Sequence, residues 1–299
     1  MACHHCASGH LHEGTPAGRV DTLHGLPAYI TSPPDNEPSQ GIVVIIPDAF
    51  GWNLNNNRIL ADAYAKRAGV TVYLPDFMNG IIESGYNLKH TLLSSMDNMV
   101  DSTSSIWSRL FSGLRTMYYF APYLYANRPG VAMPRIVSFL TSLRASTGDR
   151  IAVAGFCWGG KFAVLLCDPD IYSTDDGKSL IDFAFVAHPS NLSLPNDIEK
   201  ATLPLHICQG SEDWVLKMNG VRQIEGIFAG KEKQLRQSQR GKFVVTVVEG
   251  AKHGFAVRGN LGIEEEVRQG MVAEDEAVKW FQKWVGSSRP IGTDVEWVV

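Results

Sequence analysis

Charge is scarce in this 299-residue chain and neither sign dominates: 19% of residues are charged, 31 acidic against 27 basic. No Lys/Arg block stands anywhere in it. That argues against nucleic acid or an anionic membrane surface as a partner. No run of 18 apolar residues occurs, so no helix is expected to span a membrane. The first 14 residues hold Cys and His but lack the apolar stretch of a secretory signal. Five cysteines, odd in number and sparse, do not form a disulfide framework. A glycine-rich phosphate loop followed by Lys-Ser/Thr is also missing, which leaves nucleotide chemistry without its main signature. These absences predict a soluble, cytoplasmic protein whose partner is a small molecule; a homodimer is compatible with them.

Hydrophobic residues make up 44% of the chain, and a domain near 300 residues buries about 75% of its unfolded surface. The run 42–46 (Ile-Val-Val-Ile-Ile) is β-branched throughout, as in a strand buried on both faces. Segments 70–74, 151–154, 183–187, 205–208 and 243–248 repeat that theme, and 25–31 reads as an edge strand. Helical periodicity covers 55–68 and 263–285, the latter with Ile263, Val267, Met271, Val278, Phe281 and Val285 on one face. Strands alternating with helices predict an α/β fold, a mostly parallel sheet with helices on both faces. One domain is expected over 21–299, preceded by a flexible segment 1–20. Segment 79–128 breaks the rhythm and ends in an aromatic cluster that includes Tyr118 and Tyr123. It is expected to be a helical excursion that covers a pocket.

The chemistry concentrates at Gly155-Phe156-Cys157-Trp158-Gly159-Gly160, between a buried strand and a helix expected to begin near Lys161. This is the strand–turn–helix pattern of a nucleophile elbow, with Cys in place of Ser. The turn is tight enough that side chains two residues either side of the nucleophile would collide, so Gly155 and Gly159 remove them. The helix N-terminus that follows favours a thiolate and an oxyanion. Such a thiol needs a base and a group to orient the base, in the chain order nucleophile, acid, His. Asp213 follows the strand at 205–208, and His253 follows the strand at 243–248. Glu212 competes with Asp213 for the acid role, while His188 and His206 read as core residues or as residues packed behind the catalytic groups.

These segments carry a resemblance. G-F-C-W-G-G around Cys157, G-S-E-D around Asp213 and K-H-G-F-A around His253 resemble the dienelactone hydrolase family of α/β-hydrolases, over about residues 25–284. The N-terminal C-H-H-C and the His188-Pro189-Ser190 segment resemble fungal members. The resemblance implies an α/β-hydrolase fold and a Cys-His-Asp triad of Cys157, His253 and Asp213. It also implies an oxyanion hole from the backbone N–H groups of Ala49 and Trp158. In the family, a Glu on the loop after an inner strand helps to form the thiolate. Here that position is Asp48, one methylene shorter, which acts as a switch or simply structures its loop.

The family's type enzyme binds a substrate carboxylate with arginines. Arg258 is one position later than the resemblance places that arginine, with Arg58 and Arg109 as other candidates. Arg258 is therefore expected to touch substrate or to be a surface charge, and Phe50, Trp214 and Phe255 to line the pocket with Tyr118 and Tyr123. The function expected is cleavage of a lactone or ester through a cysteine acyl-enzyme, in fungal secondary metabolism. The alternatives are thioester or carbon–carbon cleavage of a polyketide-like molecule, or non-catalytic ligand binding. No cofactor and no metal are expected. Cys3, His4, His5 and Cys6 with His10 and His12 lack a second pair at zinc-ribbon spacing.

Overall fold

The computed structural model describes residues 12, 14–79, 105–108, 111, 112, 114, 118, 121 and 125–286. Eight strands form one sheet: β1 (Arg19–Leu23), β2 (Leu26–Thr31), β3 (Ile42–Ile46), β4 (Thr71–Pro75), β5 (Ile151–Phe156), β6 (Phe183–Ala187), β7 (Leu205–Gly210) and β8 (Phe243–Val248). Their order is β1-β2-β4-β3-β5-β6-β7-β8. The pairs β1–β2 and β2–β4 are antiparallel, and every pair from β4–β3 to β7–β8 is parallel. The β-branched run explains the centre: Ile42, Val44 and Ile46 point into one core, and Val43 and Ile45 into the other. Such two-sided burial is what a parallel interior strand requires.

Seven α-helices are bounded among the described residues: α1 (Asn55–Ala68), α2 (Pro129–Ser146), α3 (Trp158–Leu165), α4 (Asn196–Glu199), α5 (Met218–Gln234), α6 (Phe255–Arg258) and α7 (Glu264–Val285). Helices α2, α3 and α5 bury their apolar faces in the core with Ile42, while α1 and α7 cover the opposite face. The chain is therefore an α/β protein with helices on both faces of a mostly parallel sheet. Among the described residues, no helix is long and apolar enough to cross a membrane.

Three local differences from the sequence reading have clear physical causes. Strand β1 is exposed along nearly its whole length, so it carries no apolar signature and only its pairing with β2 marks it. Helix α3 starts at Trp158 rather than near Lys161, because the turn at Cys157 leads directly into it. On α7, Val278, Phe281 and Val285 are buried as expected, but Met271 is 58% exposed and Ala273, Ala277, Trp280 and Trp284 complete the buried face. Segment 1–20 also contains ordered chain. The backbone N–H of His12 donates to Asn56, Asn55 donates to the carbonyls of His12 and Gly14, and Ala17 N–H donates to Asp62. Cys3, His4, His5, Cys6 and His10 lie outside the described residues.

Candidate active site

Adjacent parallel strands deliver their C-terminal loops to one edge of the sheet, where open α/β sheets bind ligands. The loops after β3, β5, β6, β7 and β8 carry Asp48, Cys157, His188, Asp213 and His253 in that order. At about 4.8 Å per strand these five positions span roughly 19 Å, and the side chains close the remaining distance. Cys157 has φ 49° and ψ −109°, a conformation that side-chain-bearing residues rarely adopt. Sparsely populated backbone of this kind costs about 1–3 kcal/mol and concentrates at functional sites. The glycines make the turn possible. A Cβ on Gly159 would stand 2.0 Å from the Ile46 carbonyl oxygen, and one on Gly155 would meet Ala163 and the Gly159 carbonyl.

The Nε2 of His253 lies 3.1 Å from Cys157 Sγ, and its Nδ1 lies 2.8 Å from Asp213 Oδ2. The other Asp213 oxygen accepts the N–H groups of Val215 and Leu216, which pin the carboxylate. Glu212 is exposed, and its backbone N–H donates to the Ala251 carbonyl. Burial pushes the Cys157 thiol up, but the charge and hydrogen bond of His253 outweigh it. Asp48 opposes and Arg258 assists, and the net position is below the ordinary thiol value. Burial alone would lower His253, yet Cys157 and Asp213 together hold it up at about 9. The arrangement therefore shifts the Cys157–His253 pair toward its thiolate–imidazolium form.

Asp48 is completely buried. Its Oδ1 accepts from the Phe50 N–H and from Asn57 Nδ2, both at 3.2 Å, and its Oδ2 accepts from Arg258 Nε at 2.9 Å. Both oxygens thus shape the loop. Arg258 is only 8% exposed, which rules out a surface charge, and its guanidinium lies 4.7 Å above the Phe50 ring. Among the described residues, the backbone N–H groups of Ala49 and Trp158 find no acceptor; Trp158 directly follows Cys157, and Ala49 directly follows Asp48. The thiol itself lies 4.0 Å from Ser190 Oγ.

This geometry accompanies a match to a family model, described as the dienelactone hydrolase family, over residues 26–285. The chain belongs to the dienelactone hydrolase family. It is 24% identical over 282 residues to hydrolase pyvD of Aspergillus violaceofuscus, covering 94% of this chain and 96% of that one. It is 21% identical over 284 residues to Dienlactone hydrolase 1 of Gibberella moniliformis, with 94% and 91% covered. These fungal relatives agree with the fungal type that the motifs suggest. Among solved structures, a putative dienelactone hydrolase from Klebsiella pneumoniae superposes with a TM-score of 0.59 at 14% identity, over 87% of this chain and 93% of that one. The dienelactone hydrolase from Anabaena variabilis gives 0.53 at 13% identity, over 91% and 99%. Both likenesses bear on the fold, which is that of the α/β-hydrolases.

Within this dienelactone hydrolase fold, the remaining expected residues scatter. Trp214 is 56% exposed with its ring 6.2 Å from that of His253. Phe50 is buried beneath Arg258, and Phe255 is buried against His188. Tyr118 is 75% exposed, and Tyr123 and Arg109 lie outside the described residues. Arg58 lies over the rings of Tyr29 and Trp52 and bonds Asn53, in a cluster of its own. His206 is paired with Thr246 and held low, at about 4, mainly by burial. Two residues gain importance from the structure: His188, whose ring packs 5.1 Å from that of His253, and Ser190 beside the thiol. The segment His188-Pro189-Ser190 was the available signal, because it directly follows a buried strand next to the elbow strand.

Proposed function

We propose that this dienelactone hydrolase family member cleaves a lactone or ester through an acyl-enzyme on Cys157. The observation that carries this reading is the continuous line from Asp213 through His253 to Cys157, at 2.8 and 3.1 Å. Cys157 gives its proton to His253 Nε2, and the thiolate attacks the acyl carbon. The N–H groups of Ala49 and Trp158 stabilise the resulting oxyanion. Collapse expels the alkoxide or enolate, which takes the proton from His253 and leaves a thioester on Cys157. In a lactone the new hydroxyl remains tethered to the acyl chain. Water then gives a proton to His253 and its oxygen attacks the thioester, releasing the carboxylic acid and the thiolate. Asp213 holds the ring orientation and stabilises the imidazolium in both halves.

The preferred acyl group is bulky and weakly charged. Trp158 Nε1 donates to the Asn127 carbonyl at 3.1 Å, which ties the end of the aromatic segment beside the elbow. Trp214 offers a second aromatic surface next to His253. The buried arginine nearest the thiol is already neutralised by Asp48, so a substrate carboxylate would have to compete for it. A panel of lactones and aryl esters against wild type and Cys157→Ala tests the proposal. Turnover in wild type with loss of at least 10³-fold in the variant, on the order of what a lost nucleophile costs, supports it. Equal turnover in both refutes it.

A further inference from the structure

His188 stands where a phenylalanine would fit more cheaply. It is the first residue after β6, fully buried, with a backbone φ of 39°. Its ring is boxed by Phe156 at 6.1 Å, Phe255 at 5.6 Å and the His253 ring at 5.1 Å, the last two in edge-on geometry. Among the described residues, neither ring nitrogen finds a hydrogen-bond partner. An imidazole there carries an uncompensated desolvation penalty that a phenyl ring of similar shape avoids. Burial, reinforced by the charges of His253 and Arg258, holds it well below the ordinary histidine value, so it is neutral.

Both nitrogens of the His253 ring are already committed, one to Asp213 and the other to Cys157. His188 therefore acts on that ring through packing and polarity. We propose that His188 is a positioning residue whose imidazole packs edge-on against His253, fixes its ring plane between Asp213 and Cys157, and favours its imidazolium form, hence the Cys157 thiolate. A neutral imidazole carries a ring dipole that a phenyl ring lacks, and in a dry site that dipole is felt by the charge on the neighbouring His253 ring. The other groups that set the charge of this pair are Asp213 after β7, Cys157 after β5, Asp48 after β3 and Arg258 on α6. The inference rests on the proposed Cys157–His253 pair.

The test is His188→Phe, read by thermal unfolding, by kcat and KM on the best ester, and by the pH dependence of Cys157 alkylation. The variant is expected to fold with a Tm at or above wild type, to keep KM within about twofold and to lose at least tenfold in kcat. The pH of half-maximal alkylation should rise. His188→Gln, which restores a polar side chain, is expected to recover part of that alkylation shift and serves as the second variant if His188→Phe does not fold. Unchanged kcat and an unchanged alkylation profile in a folded variant would overturn the role of His188 while leaving the pair intact. A wild-type Cys157 that alkylates like an ordinary free thiol would overturn the pair, and this inference with it.

Discussion

Arg258 and Asp48, 210 residues apart in sequence, form a buried ion pair 2.9 Å long, and Asp48 immediately precedes Ala49, the proposed oxyanion donor. Arg258 enters from the end of α6, five residues after His253, and Asp48 from the loop after β3. The pair thus ties the His253 loop to the loop that carries Ala49.

Breaking this pair from one side leaves a buried charge alone. Arg258→Met is expected to destabilise the protein by about 3–5 kcal/mol, as removal of one partner of a buried pair does. Combining it with Asp48→Asn should restore much of that loss, because no unpaired charge remains. Chemical denaturation of both single variants and the double variant measures the coupling. Strictly additive losses would show that the two side chains act separately.

Asp213 and His253 should behave as one unit. Asp213→Asn is expected to lower kcat by about 10³–10⁴-fold, the size seen when the orienting acid of a triad is replaced. The double variant Asp213→Ala/His253→Ala should be little worse than His253→Ala alone. Glu212→Gln, at an exposed side chain, should leave the rate unchanged.

The charge state of the site can be read directly. His253 is held at about 9 by Cys157 and Asp213 against the pull of burial. Cys157→Ala removes one of the two supports, so the His253 NMR titration should move to lower pH. In wild type, His253 contributes stability that is full below about pH 6.5 and is lost as pH rises past about 9. The thiolate has the opposite sense: it persists below the ordinary thiol range and disappears as pH falls through the lowered Cys157 value. Alkylation should consequently label Cys157 before Cys167 and Cys208, whose thiols burial pushes up.

The preference for a bulky acyl group is a separate expectation. A neutral aryl ester or lactone should exceed a small anionic dienelactone in kcat/KM. A tenfold preference for the anionic compound, about 1.4 kcal/mol in transition-state binding, would mean that Arg258 leaves Asp48 to bind substrate.

Much of this site is visible in the sequence because the relevant constraints are local. Gly155 and Gly159 are required by atoms within a few ångströms, and the β-branched runs are required by burial on both sheet faces. Asp213 and His253 are legible because each follows such a run. The Asp48–Arg258 pair is not legible, since nothing local distinguishes a buried arginine from an exposed one. Strand β1 is missed for the converse reason: its residues are exposed and only partner hydrogen bonds define it. His188 reads either as a core residue or as one behind the catalytic groups, and the contact with His253 across the neighbouring loop decides between them.

The proposed covalent catalysis at Cys157 can be read by rapid-quench mass spectrometry during turnover of a slow aryl ester. A burst of released phenol close to one per active site is expected, with the acyl mass mapped to the Cys157 peptide. Turnover without a burst, with no acyl mass on Cys157 and undiminished activity in Cys157→Ala, would contradict it.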